Sequence, residues 1–371
     1  MNSSLTDYIA DITYGINYDY WDGKDYFQDY ESPRWLSILG YNGYLIGNNN
    51  GIDDEGKPLY DYASTISGSP DAALDVYEVG NISYYDFALG YSYDDKFYFG
   101  ATLALATLEC RLNGGSYYSE TFSNGDGFTL ENFLSTEGTG AQIKLGIIYR
   151  PIDEIRLGIS WHSPTWYSMT DYFSAGILQK NNQYRNVFTP KSTFDYNFRS
   201  SGLWTFSWAA VLGSNAIISV DYELKDYGYS RFYDDNYNPS YDNKLIKDGY
   251  RWAQTLRTGL EYRFTSQFSG RLGYAWKQSG IKDEIADGQT EIITSGTIPN
   301  YTIDGNTTYL TTGIGYKFTP QFYVDFAYVH RIQKDDVYFY SPRFYEPLVA
   351  STPVTLKNNV SKYLLTLGYK F

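Results

Sequence analysis

Residues 96–109 read KFYFGATLALATLE, and the alternation inside them decides the fold. Phe97, Phe99, Ala101, Leu103 and Leu105 share one face; Tyr98, Gly100, Thr102 and Ala104 share the other. A period of two marks an extended strand, because successive side chains leave a pleated backbone in opposite directions. The pattern recurs further along the chain. Residues 141–150 set Ala141, Ile143, Leu145, Ile147 and Tyr149 against Gln142, Lys144, Gly146 and Arg150. Residues 155–162 set Ile155, Leu157, Ile159 and Trp161 against Arg156, Gly158, Ser160 and His162. Residues 218–225 set Ile218, Val220, Tyr222 and Leu224 against Ser219, Asp221, Glu223 and Lys225. A soluble sandwich would hide the apolar face in a core. In a large membrane barrel that face meets lipid, and the charged, glycine-rich face lines the lumen.

Eleven such strands are expected, at about 82–93, 96–109, 138–150, 154–165, 203–212, 215–228, 253–264, 267–278, 308–318, 322–332 and 360–371. Their connections alternate strictly between two kinds. Tight ones fall at Asp94–Asp95, Pro151–Asp153, Gly213–Ser214, Thr265–Ser266 and Thr319–Gln321. Long ones fall at about 110–137, 166–202, 229–252, 279–307 and 333–359. Short turns on one side and long loops on the other fit an outer-membrane barrel, with turns periplasmic and loops extracellular. The fold class expected is therefore all-β, a transmembrane antiparallel up-and-down barrel.

Composition agrees. The 371 residues include 42 Tyr, 21 Phe and 8 Trp, and aromatics reach 19%. The mean hydropathy is nevertheless −0.43. No stretch approaches the roughly 18 apolar residues of a membrane helix. A barrel reconciles these values, since only every second strand residue meets lipid and aromatic girdles mark the interfaces. The net charge of −14 speaks against nucleic acid, whose phosphates need clustered Lys and Arg. Acid gathers at Asp53–Glu55, Asp234–Asp235 and Asp335–Asp336, which read as solvated loops. Divalent-cation bridging to lipopolysaccharide is the sharper alternative for them. One cysteine, Cys110, excludes an internal disulfide. That Cys with His162 and His330 makes no zinc set, and no cofactor motif is visible. A Ser-His-Asp arrangement has no support, so an enzyme is not expected.

Residues 1–81 show no clear strand pairs and read as a large extracellular loop region, with 82–371 as the barrel. Within them SSLTDYIADITYG allows a short helix on Leu5, Ile9 and Ile12. Long excursions of this kind usually carry function. The start has no signal-peptide pattern. Bacterial barrels close on even strand numbers, and an open edge in lipid is prohibitive. An odd count therefore predicts further strands and a signal peptide upstream of Met1.

Five segments carry a resemblance. They are PIDEIRLGISWHSPTWYSMTDYF (151–173), NAIISVDYELKDYG (215–228), TLRTGLEYRFTSQFSGRLGYAW (255–276), YLTTGIGYKFTPQFYVDFAYVHR (309–331) and the terminal YLLTLGYKF. In this order they resemble the FadL/TodX family of outer-membrane transporters for long-chain fatty acids and aromatic hydrocarbons. The resemblance implies fourteen strands when complete and an N-terminal hatch, so three strands and the hatch would lie upstream. It implies uptake of hydrophobic small molecules, captured by extracellular loops and passed to an apolar pocket in the lumen. The final Tyr369 and Phe371 resemble the signal read by the outer-membrane assembly machinery.

Several residues are candidates for contacting such a ligand. A carboxylate head needs a cation or donors, and Lys144, Arg156, Arg257 and Arg271 face the lumen. They could equally pair across it with Asp86, Asp221, Glu261 and Asp325. His162 ends a lumen-facing row, as a ligand contact or as a plain polar residue. His330 falls on the lipid-facing register near the outer rim. In the capture loops Phe122, Phe128, Phe133, Trp166, Tyr167, Tyr172 and Phe173, with Tyr117 and Tyr118, either bind apolar ligand or pack on one another. Membrane lipid and lipopolysaccharide are the other expected partners. A general diffusion porin and a surface receptor or adhesin barrel, hemin receptors included, remain alternatives.

Overall fold

The computed structural model describes residues 4–16, 34–49, 51–52, 58–59, 61–66, 68–111, 115–181, 186–287, 290–292, 294, 296–343 and 351–370. The first elements are α1 (Leu5–Thr13), α2 (Trp35–Asn42), β1 (Ile46–Asn48), β2 (Gly51–Ile52), β3 (Pro58–Leu59), β4 (Tyr62–Ser64) and β5 (Pro70–Val76). Next come β6 (Val79–Tyr93), β7 (Phe97–Arg111), β8 (Ser116–Phe122), β9 (Gly127–Ile152), β10 (Ile155–His162), β11 (Trp166–Gln179), β12 (Val187–Phe188) and β13 (Ser192–Arg199). They are followed by β14 (Leu203–Leu212), β15 (Ala216–Asp226), β16 (Arg231–Tyr233), α3 (Asn243–Gly249), β17 (Trp252–Arg263) and β18 (Phe268–Lys277). The last are α4 (Asp283–Ala286), β19 (Tyr301–Lys317), β20 (Phe322–Tyr338) and β21 (Val354–Tyr369).

Eleven strands make the wall, antiparallel in the order β6–β7–β9–β10–β14–β15–β17–β18–β19–β20–β21. All the strands expected from the alternation are there. The series ends at β6 and β21, and no register joins these two among the described residues. At the first tight turn Asp94 and Asp95 both take positive φ, 53° and 47°, which short carboxylate side chains tolerate and which matches the strands' twist.

Register fixes which side chains share a face. Arg271 reaches Glu261 and Asp325, so these define the lumen side of β17, β18 and β20. The alternate residues point outward: Leu260, Leu272, Tyr274, Ile314, Phe326 and, on β21, Tyr363, Leu365, Leu367 and Tyr369. Leu365 is 67% exposed to solvent and Leu89, on β6, 81%. Continuous apolar surface of this extent needs an apolar solvent. At the tight-turn end the outward face becomes aromatic. Phe97 stacks on Tyr149 at 4.8 Å, Tyr262 meets Phe264 at 4.9 Å, and Tyr316 meets Phe318 at 4.8 Å. Such a girdle marks a membrane interface.

The wall strands run further than expected on the long-connection side. Segments 110–137 and 166–202 are largely strand rather than loop. β9 is 26 residues long and pairs with β8 and β11, and β11 pairs with β12 and β13. Asp335 and Asp336 also lie in strand, in β20, and not in a loop. Asp335 is buried and accepts from the Gly305 N–H at 3.0 Å and Gln333 Nε2 at 2.7 Å. Asp234 does sit in a turn, where bonds from Asn238 hold its carboxyl below the usual range. Asp53–Glu55 lie outside the described residues.

The described part of residues 1–81 differs most from expectation, because it is folded. The helix anticipated around Leu5, Ile9 and Ile12 is α1, capped by Ser4 with Asp7 completing a capping box. A second helix, α2, and the pairs β1–β4, β2–β3 and β5–β8 accompany it. Together they form a cap with its own core. Leu5, Tyr8, Ile9, Leu36, Leu39, Leu45 and Tyr62 pack on Tyr118, Phe122, Phe128, Leu130 and Ile177 of β8, β9 and β11. On β9 and β11 these partners continue the lumen-side rows, so the cap sits over the mouth of the lumen. Tyr340, just beyond β20, joins the same core and stacks on Tyr8 at 5.6 Å. The cap thus ties β8–β9 to the far end of the strand series. Arg343 adds an ion pair to Asp11 at 2.6 Å. Thr297 donates to Asn132 of β9.

One carboxylate is central to the cap. Glu120 is 1% exposed and lies at the N-terminus of α1. It accepts from the Leu5 N–H at 2.7 Å, the Tyr118 hydroxyl at 2.5 Å and the Ser4 hydroxyl. Burial pushes its carboxyl up, while those three donors pull it back.

Candidate functional site

Beneath the cap the lumen holds a cavity of about 580 Å³. Its floor is one cross-strand row: Lys144 of β9, His162 of β10, Leu203 of β14 and Lys225 of β15 are register neighbours. Its walls rise through Ile82, Tyr84, Leu108, Tyr167, Met169, Tyr196, Phe198 and Phe232. Glycine makes room for two of these. A Cβ at Gly140 would collide with the Tyr167 ring, and one at Gly138 with the Met169 thioether. Both side chains therefore lie flat across β9 and are buried.

The aromatic rings form a continuous series from the rim to the floor. Phe194, 62% exposed, stacks on Tyr196 at 6.0 Å. Tyr196 meets Phe232 at 5.7 Å, and Phe232 meets Phe198 at 4.7 Å. Phe198 stacks on Tyr167 at 6.4 Å, and the Tyr167 hydroxyl lies 3.4 Å from that of Tyr84. Lys144 then sits 5.3 Å from the Tyr84 ring centroid. Above the floor Asp171 accepts from Thr136 at 2.6 Å and Tyr196 at 3.3 Å. Burial pushes its carboxyl up, against those bonds.

Of the sequence candidates, the cavity gathers Lys144, His162 and Tyr167. Lys144 is paired with Asp86 at 3.0 Å. Arg257 and Arg271 lie deeper. Arg257 pairs with Glu223, one pleat from the Asp221 opposite it in register. Arg271 bridges Glu261 at 2.8 Å and Asp325 at 2.7 Å. Arg156 is exposed and has no ion pair among the described residues. Phe122 and Phe128 belong to the cap core, with Phe173 and Tyr118 packed there too. Phe133, Trp166 and Tyr172 are exposed on the outward rows of β9 and β11, and Tyr117 meets Phe133 edge-on at 6.3 Å. Tyr369 pairs with Phe322 across β20–β21, and Phe371 lies outside the described residues.

The sequence reading missed Phe194, Tyr196, Phe198 and Phe232, and it placed Lys225 on the lumen face without naming it as a ligand contact. A signal for the first three existed: STFDYNFR, residues 192–199, alternates with period two. Lys225 faces the cavity with Tyr227 under its ammonium at 4.7 Å and has no acidic partner among the described residues.

A wall of amphipathic strands around an apolar lumen cavity accords with the family comparison. The model of the outer-membrane transport proteins OMPP1, FadL and TodX matches residues 60–371. The chain belongs to the FadL/TodX family. As a member it is an outer-membrane transport protein, and its outward rows face the bilayer. Among solved structures it is similar to the P. putida toluene transporter TodX, at 11% identity over 88% of this chain and 86% of that one, with a TM-score of 0.47. It is similar to a Pseudomonas aeruginosa FadL homologue at 11% identity, covering 87% of each chain, with a TM-score of 0.41. The CymD monoaromatic hydrocarbon channel aligns at 12% identity over 82% of this chain and 89% of that one, with a TM-score of 0.37. No curated protein sequence matches.

Proposed function

We propose that this FadL/TodX member takes up hydrophobic small molecules that carry one anionic end, long-chain fatty acids being the type case. The observation that carries this is the cavity itself, aromatic and aliphatic on its walls and cationic on its floor. Transfer of an acyl chain or ring onto those walls is favourable by about 25 cal/mol per Å² removed from water. Lys225, His162 and Gln142 supply the cation and donors a carboxylate end requires. The ring series from Phe194 to Tyr167 offers a continuous aromatic surface for a ligand moving inward from the rim. Below the cavity, the paired charges of Arg257, Arg271, Glu223, Glu261 and Asp325 make the lumen polar.

Binding of radiolabelled oleate and of toluene to the full chain in detergent tests the reading. Saturable oleate binding is expected, weakened on the order of tenfold by Phe198→Ala with Phe232→Ala, whose lost stacking is about 0.5–1.5 kcal/mol per pair. Lys225→Gln should weaken oleate and leave toluene unchanged. Free passage of small sugars in proteoliposomes, with no oleate binding, means the chain is a diffusion porin instead.

A further inference from the structure

The lumen cations differ in how firmly each is neutralised. Arg271 is bridged by two carboxylates, Glu261 and Asp325. Lys225 has no acidic partner among the described residues. Lys144 stands between these cases. Its ammonium donates to both oxygens of Asp86, at 3.0 and 3.1 Å. Lys144 is also the one hydrogen-bond donor to Asp86 among the described residues.

That ion pair holds Lys144 turned away from the other polar groups of the floor. Lys144 on β9 has His162 of β10 on one side in register and Thr102 of β7 on the other. Asp86 lies on β6, beyond β7, two strand spacings or about 10 Å from β9. The lysine therefore leans across β7, away from His162 and Lys225. Ala104, opposite Asp86 on β7, leaves room for the crossing and is fully buried although its row faces the lumen. Exposure decides which partner suffers when the pair parts. The Asp86 side chain is 46% exposed and that of Lys144 24%. A freed carboxylate regains water, whereas a freed ammonium stays beside the Tyr84 ring and needs another anion. A lysine on its flexible four-carbon stem can exchange partners by rotation, unlike the forked guanidinium of Arg271 between two acids.

We infer that Asp86 is a built-in counterion that an anionic ligand displaces from Lys144. The inference rests on the uptake reading above and makes Asp86 the residue that sets how tightly an acid is held. On entry the ligand carboxylate replaces that of Asp86 on Lys144, while Lys225 and His162 face its other side. One anion takes the place of another on the same ammonium, so the exchange is nearly balanced and the ligand leaves as Asp86 returns. Without Asp86 the cavity would carry two unpaired lysines and release an acid more slowly.

Equilibrium binding to the full chain in detergent tests this, with radiolabelled oleate and oleyl alcohol, a neutral analogue with the same chain, as probes. Asp86→Asn should tighten oleate on the order of tenfold, because a charge-assisted bond forms with no counterion to displace, and should leave oleyl alcohol unchanged. Lys144→Gln should change oleate binding little in the wild type and weaken it about tenfold in the Asp86→Asn background, the coupling a displaced counterion requires. Asp86→Ser removes the same charge and should act likewise, so the test does not depend on one variant folding. Unchanged or weaker oleate binding in the aspartate variants overturns the counterion. Equal tightening of oleate and oleyl alcohol overturns it too, since that reports a roomier cavity. Absence of saturable oleate binding by the wild type strikes the uptake reading itself, whereas intact binding that ignores Asp86 strikes this inference alone.

Discussion

Tyr8 and Tyr363 are the same residue type in opposite surroundings. Tyr8, in the cap, is 4% exposed and stacked on Tyr340. Tyr363, on the wall, is 70% exposed and lies in a row with Leu365 and Leu367. The cap hides its apolar groups inside protein, and the wall presents them to the bilayer. Each region therefore tolerates a different set of substitutions, although both are built from Tyr, Phe, Leu and Ile.

The largest contrast should come from the cap core. Ile9→Asp places a carboxylate among Leu5, Leu39 and Tyr118 with no partner, and should cost more than about 4 kcal/mol. Limited proteolysis should then cut residues 34–66 while the wall keeps its heat-modifiable migration on gels. Loss of wall and cap together would show that the two are one cooperative unit. Next comes the wall. Leu89→Arg should destabilise the chain by about 2–4 kcal/mol in lipid vesicles, the cost of a cation near the bilayer midplane. Guanidinium unfolding in vesicles measures it, and no change would mean that this row does not face hydrocarbon.

A third test sharpens how the cap is held. Glu120→Ala leaves the Leu5 N–H and two hydroxyls without their acceptor, at about 1–3 kcal/mol for each group left unsatisfied. Glu120 also sets a pH dependence. Its native carboxyl is raised above the ordinary value of 4.5, so the folded cap binds the proton more tightly than the unfolded chain. Cap stability should then be greatest below that value and fall as pH rises toward the native one. Glu120→Gln should flatten the slope in a cap-specific melt; an unchanged slope assigns it to another carboxyl, Asp11 being raised by burial as well.

The lumen falls between these extremes of legibility. Lys144, Arg257 and Arg271 were readable as lumen-facing because the pleat alone sets direction. Whether each met a ligand or an acid was not readable, because the partner lies on another strand. Arg257 shows this, since its carboxylate is Glu223 and not the Asp221 directly across. Phe122 and Phe128 could be read either as capture residues or as packing residues and are core, because the helices that cover them come from 80 or more residues away.

The sequence by itself determined the wall: its strands, its two faces, its tight turns and its place in the outer membrane. A strand between lipid and lumen needs chemical contrast at every step, so its fold is written locally with period two. Tertiary structure alone decided the cap, the cavity and the pairing of the lumen charges. Leu5, Leu39, Tyr62, Phe128, Ile177 and Tyr340 converge from distant segments with no shared period. Packing of that kind depends on which surfaces meet, and only the folded chain brings them together.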